Sequence, residues 1–166
     1  MFLKEVYIKG RAKNMDFLKQ KGKVSDVIKE KLKACGGRAT VPSMCENRSG
    51  FEIVFTDMGI ATKKLSNYVL EWEHFDEIVK KANSLGGKMY RGDANSGNKL
   101  GYGIPHDCVD GFVASELLGR EDGKSVTRTS TYYTGVLEWA GIAKRHPAEK
   151  NVEASFIAVN EEYRNI

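Results

Sequence analysis

Residues 105–159 constrain the fold more than any other stretch, because two helical periodicities there are each closed by glycine and then followed by a basic hairpin pattern. Val109, Phe112, Val113 and Leu117 recur at i, i+3, i+4 and i+8, which places them on one stripe of a helix. Pro105 and Asp107 supply its start and Gly119 its stop. Residues 120–124 have no periodicity and contain Gly123, so they read as a turn. Ser125 or Thr127 then caps a second helix whose apolar positions are Val126, Tyr133, Val136, Leu137 and Ala140, with Gly141 at its end. Residues 142–145 and 153–159 follow as two strands around a polar loop at His146 to Lys150.

The first turns of the second helix present Arg128, Thr129, Ser130, Thr131 and Tyr132. Hydroxyls and free backbone N–H groups at a helix N-terminus bond phosphate oxygens, the dipole favours the anion, and an arginine can fork onto a guanine edge. The order helix, turn, helix, basic hairpin resembles the winged-helix DNA-binding domains across roughly the last third of the chain, in fold pattern only. That resemblance implies a helix-turn-helix in which the second helix reads duplex DNA and the hairpin touches the neighbouring backbone. It nominates Arg128, Thr129, Ser130, Thr131 and Tyr132 for the reading helix, with Lys124 before it, and Lys144, Arg145 and Lys150 for the wing. One departure is the connection between the helices, which is longer than a strict helix-turn-helix uses. The expected function is therefore duplex DNA binding, as a small regulator or a component of a mobile or defence element. Two other readings stay open: a Mg²⁺-dependent endonuclease acting on DNA, and a protein-interaction module whose helix-hairpin unit docks a second copy or another protein.

The first half reads as mixed helix and strand, which makes the fold class α+β. Residues 3–8 suggest a short strand, followed by a lysine-rich arm. Val24, Ile28, Leu32 and Cys35 make an amphipathic helix that Ser25 can cap and Gly36-Gly37 ends. Strand patterns follow at residues 38–41, 51–55, 60–65 and 68–72, then a second helix on Phe75, Ile78, Val79, Ala82 and Leu85, again closed by a glycine pair. The glycine-rich residues 92–104 look like a connection, so the expected division is an α/β part over 1–91 and a winged-helix-like domain over 105–166.

Charge is unevenly spread. Residues 1–33 hold ten Lys or Arg against four acids, so of the net +4 an excess of six lies there and the rest of the chain sums to minus two. This is a phosphate-contacting arm or a solvated lysine face. No apolar run reaches membrane-spanning length, charges interrupt the N-terminus where a signal peptide would need a hydrophobic core, and three scattered cysteines make no disulfide framework. These features point to the cytoplasm and away from a membrane.

Chemical motifs fare poorly. Gly119 to Ser125 has three residues between its glycines where a phosphate loop needs four, and a helix precedes it where a strand is required. Cys35, Cys45, His106 and Cys108 offer zinc-binding atoms, but not at the close paired spacing of structural sites. Asp107 with Asp122 and Lys124 mimics a nuclease's acid and acid-x-Lys pattern, yet on a helix start and a turn. Glu71, Glu73, Asp76 and Glu77 sit where acids simply favour a helix dipole. Cys108 and His106 lie two apart on a helix start, where their side chains diverge. The expectation is no catalytic residue, no metal and no cofactor.

Overall fold

The computed structural model describes residues 23–95 and 97–166. The strand and arm expected before residue 23 lie outside them. Helix α1, Val24–Ala34, buries Val24, Val27, Ile28 and Leu32 and ends at the glycine pair, where Gly37 N donates to Leu32 O at 2.9 Å. Both glycines have positive φ, +75° and +80°, the left-handed backbone that lets the last carbonyls find donors. The cap is not Ser25. The helix begins one residue before it, so Ser25 sits inside the first turn. Its N–H and hydroxyl donate to the Asp76 carboxylate at 2.9 and 2.6 Å, and a side chain fifty-one positions away thus satisfies the helix start.

Four antiparallel strands follow in sheet order: β1 (Arg38–Val41), β2 (Phe51–Phe55), β3 (Gly59–Ala61) and β4 (Leu70–Glu71). The pairing of Val41 with Phe51 closes the loop 42–50 over one end of β1 and β2. Helix α2, Trp72–Ser84, buries Trp72, Phe75, Ile78, Val79 and Ala82 and packs against α1. After it, β5 (Lys88–Tyr90) enters a second sheet, and a short parallel pair, β6 (Lys99–Leu100) and β7 (Gly103–Ile104), lies in the glycine-rich segment.

Helix α3, Val109–Phe112, widens into a π-turn over Val113–Leu117, with Leu118 N bonding Val113 O five residues back. Its cap is Cys108, whose sulfur accepts from Gly111 N, and not Asp107. Helix α4 spans Ser130–Trp139, so it starts five residues beyond Ser125, and residues 119–129 form one long irregular connection. Strands β8 (Ala143–His146) and β9 (Phe156–Val159) form the hairpin, and β5 pairs with the far side of β9 to give the antiparallel order β5-β9-β8.

The expected boundary at residues 92–104 does not divide the core. One buried cluster joins α1, β1 to β4 and α2 to α3, α4, β8 and β9, and β5, from before the boundary, is hydrogen-bonded to β9, from after it. Helix α4 is the layer between them. Gly135 faces the first sheet so closely that an added Cβ would stand 3.0 Å from the Phe51 ring and 3.1 Å from Val41. Tyr133, Thr134, Gly135, Val136 and Leu137 are all buried, so little of this helix is left for a groove. Sequence periodicity recognised the helix but not that its polar flank, too, is covered. Among the described residues no helix is long and apolar enough to cross a membrane.

Candidate functional site

The N-terminus of α4 is already occupied. The Asp110 carboxylate, 1% exposed, accepts from Thr129 N at 3.0 Å and Ser130 N at 2.9 Å through Oδ1, and from the Ser130 hydroxyl at 3.0 Å through Oδ2. A buried carboxylate thus stands where a phosphate was expected, and the dipole favours it for the same reason. Thr129 and Ser130 are correspondingly buried, at 1% and 2%, and face inward. Burial raises the Asp110 pKa above its ordinary value, with the Ser130 and Thr129 donors and the Arg91 charge opposing that rise.

Beside this cap lies a cleft of about 350 Å³. The loop 42–50 contributes Ser43, Met44, Cys45, Arg48 and Ser49, and Lys64 comes from beyond β3. Arg91 follows β5, Arg128 immediately precedes α4, Thr131 and Tyr132 are half-buried in its first turn, and Arg145 reaches in from β8. No Asp or Glu lines the cleft. Nor does any carboxylate of the described residues lie within ion-pair distance of Arg48, Lys64, Arg91 or Arg128.

Arg91 is the best-held of these cations. Its Nη2 donates to Thr131 Oγ1 at 2.7 Å and its Nη1 to Ser155 Oγ at 3.3 Å, while Nε is buried without a partner. Burial lowers its pKa and repulsion from Arg145 and Arg128 lowers it further, while the Asp110 charge opposes the shift. Like charges are therefore held together by the fold, against their own repulsion, around a space that no carboxylate lines. Arg128 donates to the side-chain oxygen of Asn95, a neutral acceptor that an anion can replace. Tyr132 is half-buried and meets Phe51 edge-on, with ring centroids 5.0 Å apart at 75°.

The other nominated residues separate into two groups. Arg145 was expected on the wing surface, but it is 7% exposed and committed to the fold: Nε and Nη2 donate to Glu138 Oε1 at 3.1 and 2.9 Å, and Nη2 also donates to Pro42 O at 2.8 Å. Alternation along β8 explains this, since Lys144 points outward and its neighbour must point in. Lys144, Lys150 and Lys124 are exposed but stand outside the cleft lining. The described early lysines are not gathered there either. Lys29, Lys31 and Lys33 lie over the rings of Trp72, Trp139 and Phe55 at 5.2, 4.5 and 5.1 Å, contacts that support packing.

Of the predicted set, Arg128, Thr131 and Tyr132 line the cleft together with Arg145, whose guanidinium is committed to Glu138 and Pro42. Arg48, Lys64 and Arg91 join them without any warning in the sequence, since each sits in a different connecting segment. No family model matches the chain, and no curated protein or solved structure does. Elsewhere, His106 Nε2 and Asp122 Oδ1 are 2.6 Å apart on the surface, which ties the acid-x-Lys segment to a neighbouring loop. Cys35 and Cys45 are exposed and unpaired, whereas Cys108 is buried and its thiol is pushed up to about 11 by that burial. Among the described residues no three His, Cys, Asp or Glu side chains are grouped to hold a metal.

Proposed function

We propose that this protein binds duplex DNA through its sugar-phosphate backbone, using the cationic cleft at the start of α4. The observation that carries this reading is the convergence of Arg48, Lys64, Arg91 and Arg128 on one cleft without a lining carboxylate. Guanidinium groups fork onto phosphate oxygens, and each neutralised phosphate releases counterions. The order α3, α4, β8, β9, with β5 completing the sheet order β5-β9-β8, supports a winged-helix-like C-terminal part that borrows β5 from before the glycine-rich segment and carries the pair β6-β7 within it. In this form of it, α4 offers only its first turn, Thr131 and Tyr132, and the exposed Lys144 and Lys150 of the hairpin add backbone contacts at the side.

A salt titration of binding to random duplex tests the proposal. Affinity is expected to fall steeply with added salt, and Arg128→Ala to reduce the slope of log K against log salt by about 0.9. Absence of binding at low ionic strength overturns it.

A further inference from the structure

Resting on that reading, we infer that the cleft is a seat for a nucleoside phosphomonoester: the phosphorylated end of a DNA strand, or a free mononucleotide carrying the same group. Three features separate this from general attraction to a backbone.

The first is shape. Walls come from the loop 42–50, the end of β5, the start of α4 and β8, so the cations line one cleft from several sides. A volume of about 350 Å³ falls at the small end of the ~300–1,000 Å³ typical of small-molecule pockets. That is room for a single nucleotide, such as the terminal one of a bound duplex.

The second is charge. Four cations with no lining carboxylate exceed what one diester, with a single negative charge, can match. A phosphomonoester carries about −1.5 to −2 at neutral pH and is the better counter-charge. Arg145, held by Glu138, stiffens the back of the site and is not part of this count.

The third is preparation. Arg91 is braced by Thr131 and Ser155 with its Nε buried and unpartnered, so its guanidinium is fixed before any ligand arrives. Tyr132, itself steadied edge-on by Phe51, supplies an aromatic wall beside the cations for a sugar or base.

The test uses the full chain and fluorescence anisotropy with three DNAs of one sequence: a duplex carrying a phosphate at its 5′ or 3′ end, the same duplex with hydroxyl ends, and a closed dumbbell. Adenosine monophosphate and inorganic phosphate serve as competitors. The phosphorylated duplex is expected to bind about tenfold more tightly than the dumbbell, the margin of one added charge-assisted contact. Arg48→Ala, on an exposed loop, and Arg91→Lys, which keeps the charge but loses the fork, are each expected to reduce that preference to below about threefold. If the mononucleotide competes with the phosphorylated end, the seat also takes the free ligand. If it does not, the seat belongs to strand ends. Equal binding of all three DNAs, untouched by the mononucleotide, overturns the seat and leaves duplex binding standing. Mononucleotide binding without binding of any DNA keeps the seat and overturns the duplex reading. No binding of any probe overturns both.

Discussion

Removing the Asp110 carboxylate is the sharpest test of how the cleft is built. In Asp110→Ala, Thr129 N–H and Ser130 N–H lose the only acceptor they have among the described residues, at a site 1% exposed. Leaving a buried donor unmade costs about 1–3 kcal/mol, and loss of a helix cap by itself costs about 0.5–2 kcal/mol. Against this, the alanine variant no longer buries a carboxylate, whose raised pKa shows that desolvation outweighs its bonds. The expected net loss is about 2–4 kcal/mol. Asp110→Asn behaves differently. Its amide oxygen can still accept both N–H groups and its NH₂ can donate to the Ser130 hydroxyl, so the expected loss is about 1 kcal/mol or less. Urea unfolding at pH 7, followed by circular dichroism, measures both. The folded carboxyl titrates above its ordinary 3.8, so its contribution is fully present below that value and is lost as pH rises through the folded one. The stability difference between wild type and Asp110→Asn should therefore shift in favour of wild type as pH falls toward about 4. An asparagine variant as damaged as the alanine variant, or both within about 0.5 kcal/mol of wild type, refutes the capping argument.

The two neighbouring basic residues of β8 should part company. Arg145→Ala removes a buried guanidinium from the part-exposed Glu138, which keeps the N–H of residue 145, at a cost of about 2 kcal/mol read from the urea midpoint. Lys144→Ala should change stability by less than about 0.5 kcal/mol, and equal effects from the two would contradict the alternation. His74, 7% exposed, has Nδ1 2.8 Å from the Tyr133 hydroxyl. Burial holds its pKa below 6.5, with Glu71 and Glu73 opposing the shift. The unfolded chain takes up this proton at higher pH than the folded one does, so stability present near neutrality should decline as pH falls from 6.5 through the lower folded value. His74→Phe should flatten that part of the profile, and an unchanged slope would place the acid sensitivity elsewhere.

Local patterns carried the element types well. The stripes of α1, α2 and α4, the strands at 38–41 and 51–55 and the two hairpin strands all follow from spacings within a few residues, because helix and strand periodicities are properties of adjacent side chains. Starts were less legible. Ser25 and Ser125 both look like caps, yet α1 is satisfied by Asp76 and α4 by Asp110, carboxylates that arrive from other helices. A hydroxyl just ahead of an apolar stripe shows only that a cap can form there; which oxygen takes the N–H depends on what packs against it.

The amino-acid order alone determined that this chain has amphipathic helices to bury, a basic hairpin after the last of them and an arginine just ahead of it, since each of these is written in consecutive residues. Only the tertiary structure decided that α4 would be covered on its polar flank, that Arg145 would turn inward to Glu138 and that Arg48, Lys64, Arg91 and Arg128 would share one cleft. Those residues span eighty positions of chain and four connecting segments. Their mutual repulsion is overcome by core packing that no local pattern encodes, so the charge that defines the candidate site emerges only once the two sheets have closed on the helix between them.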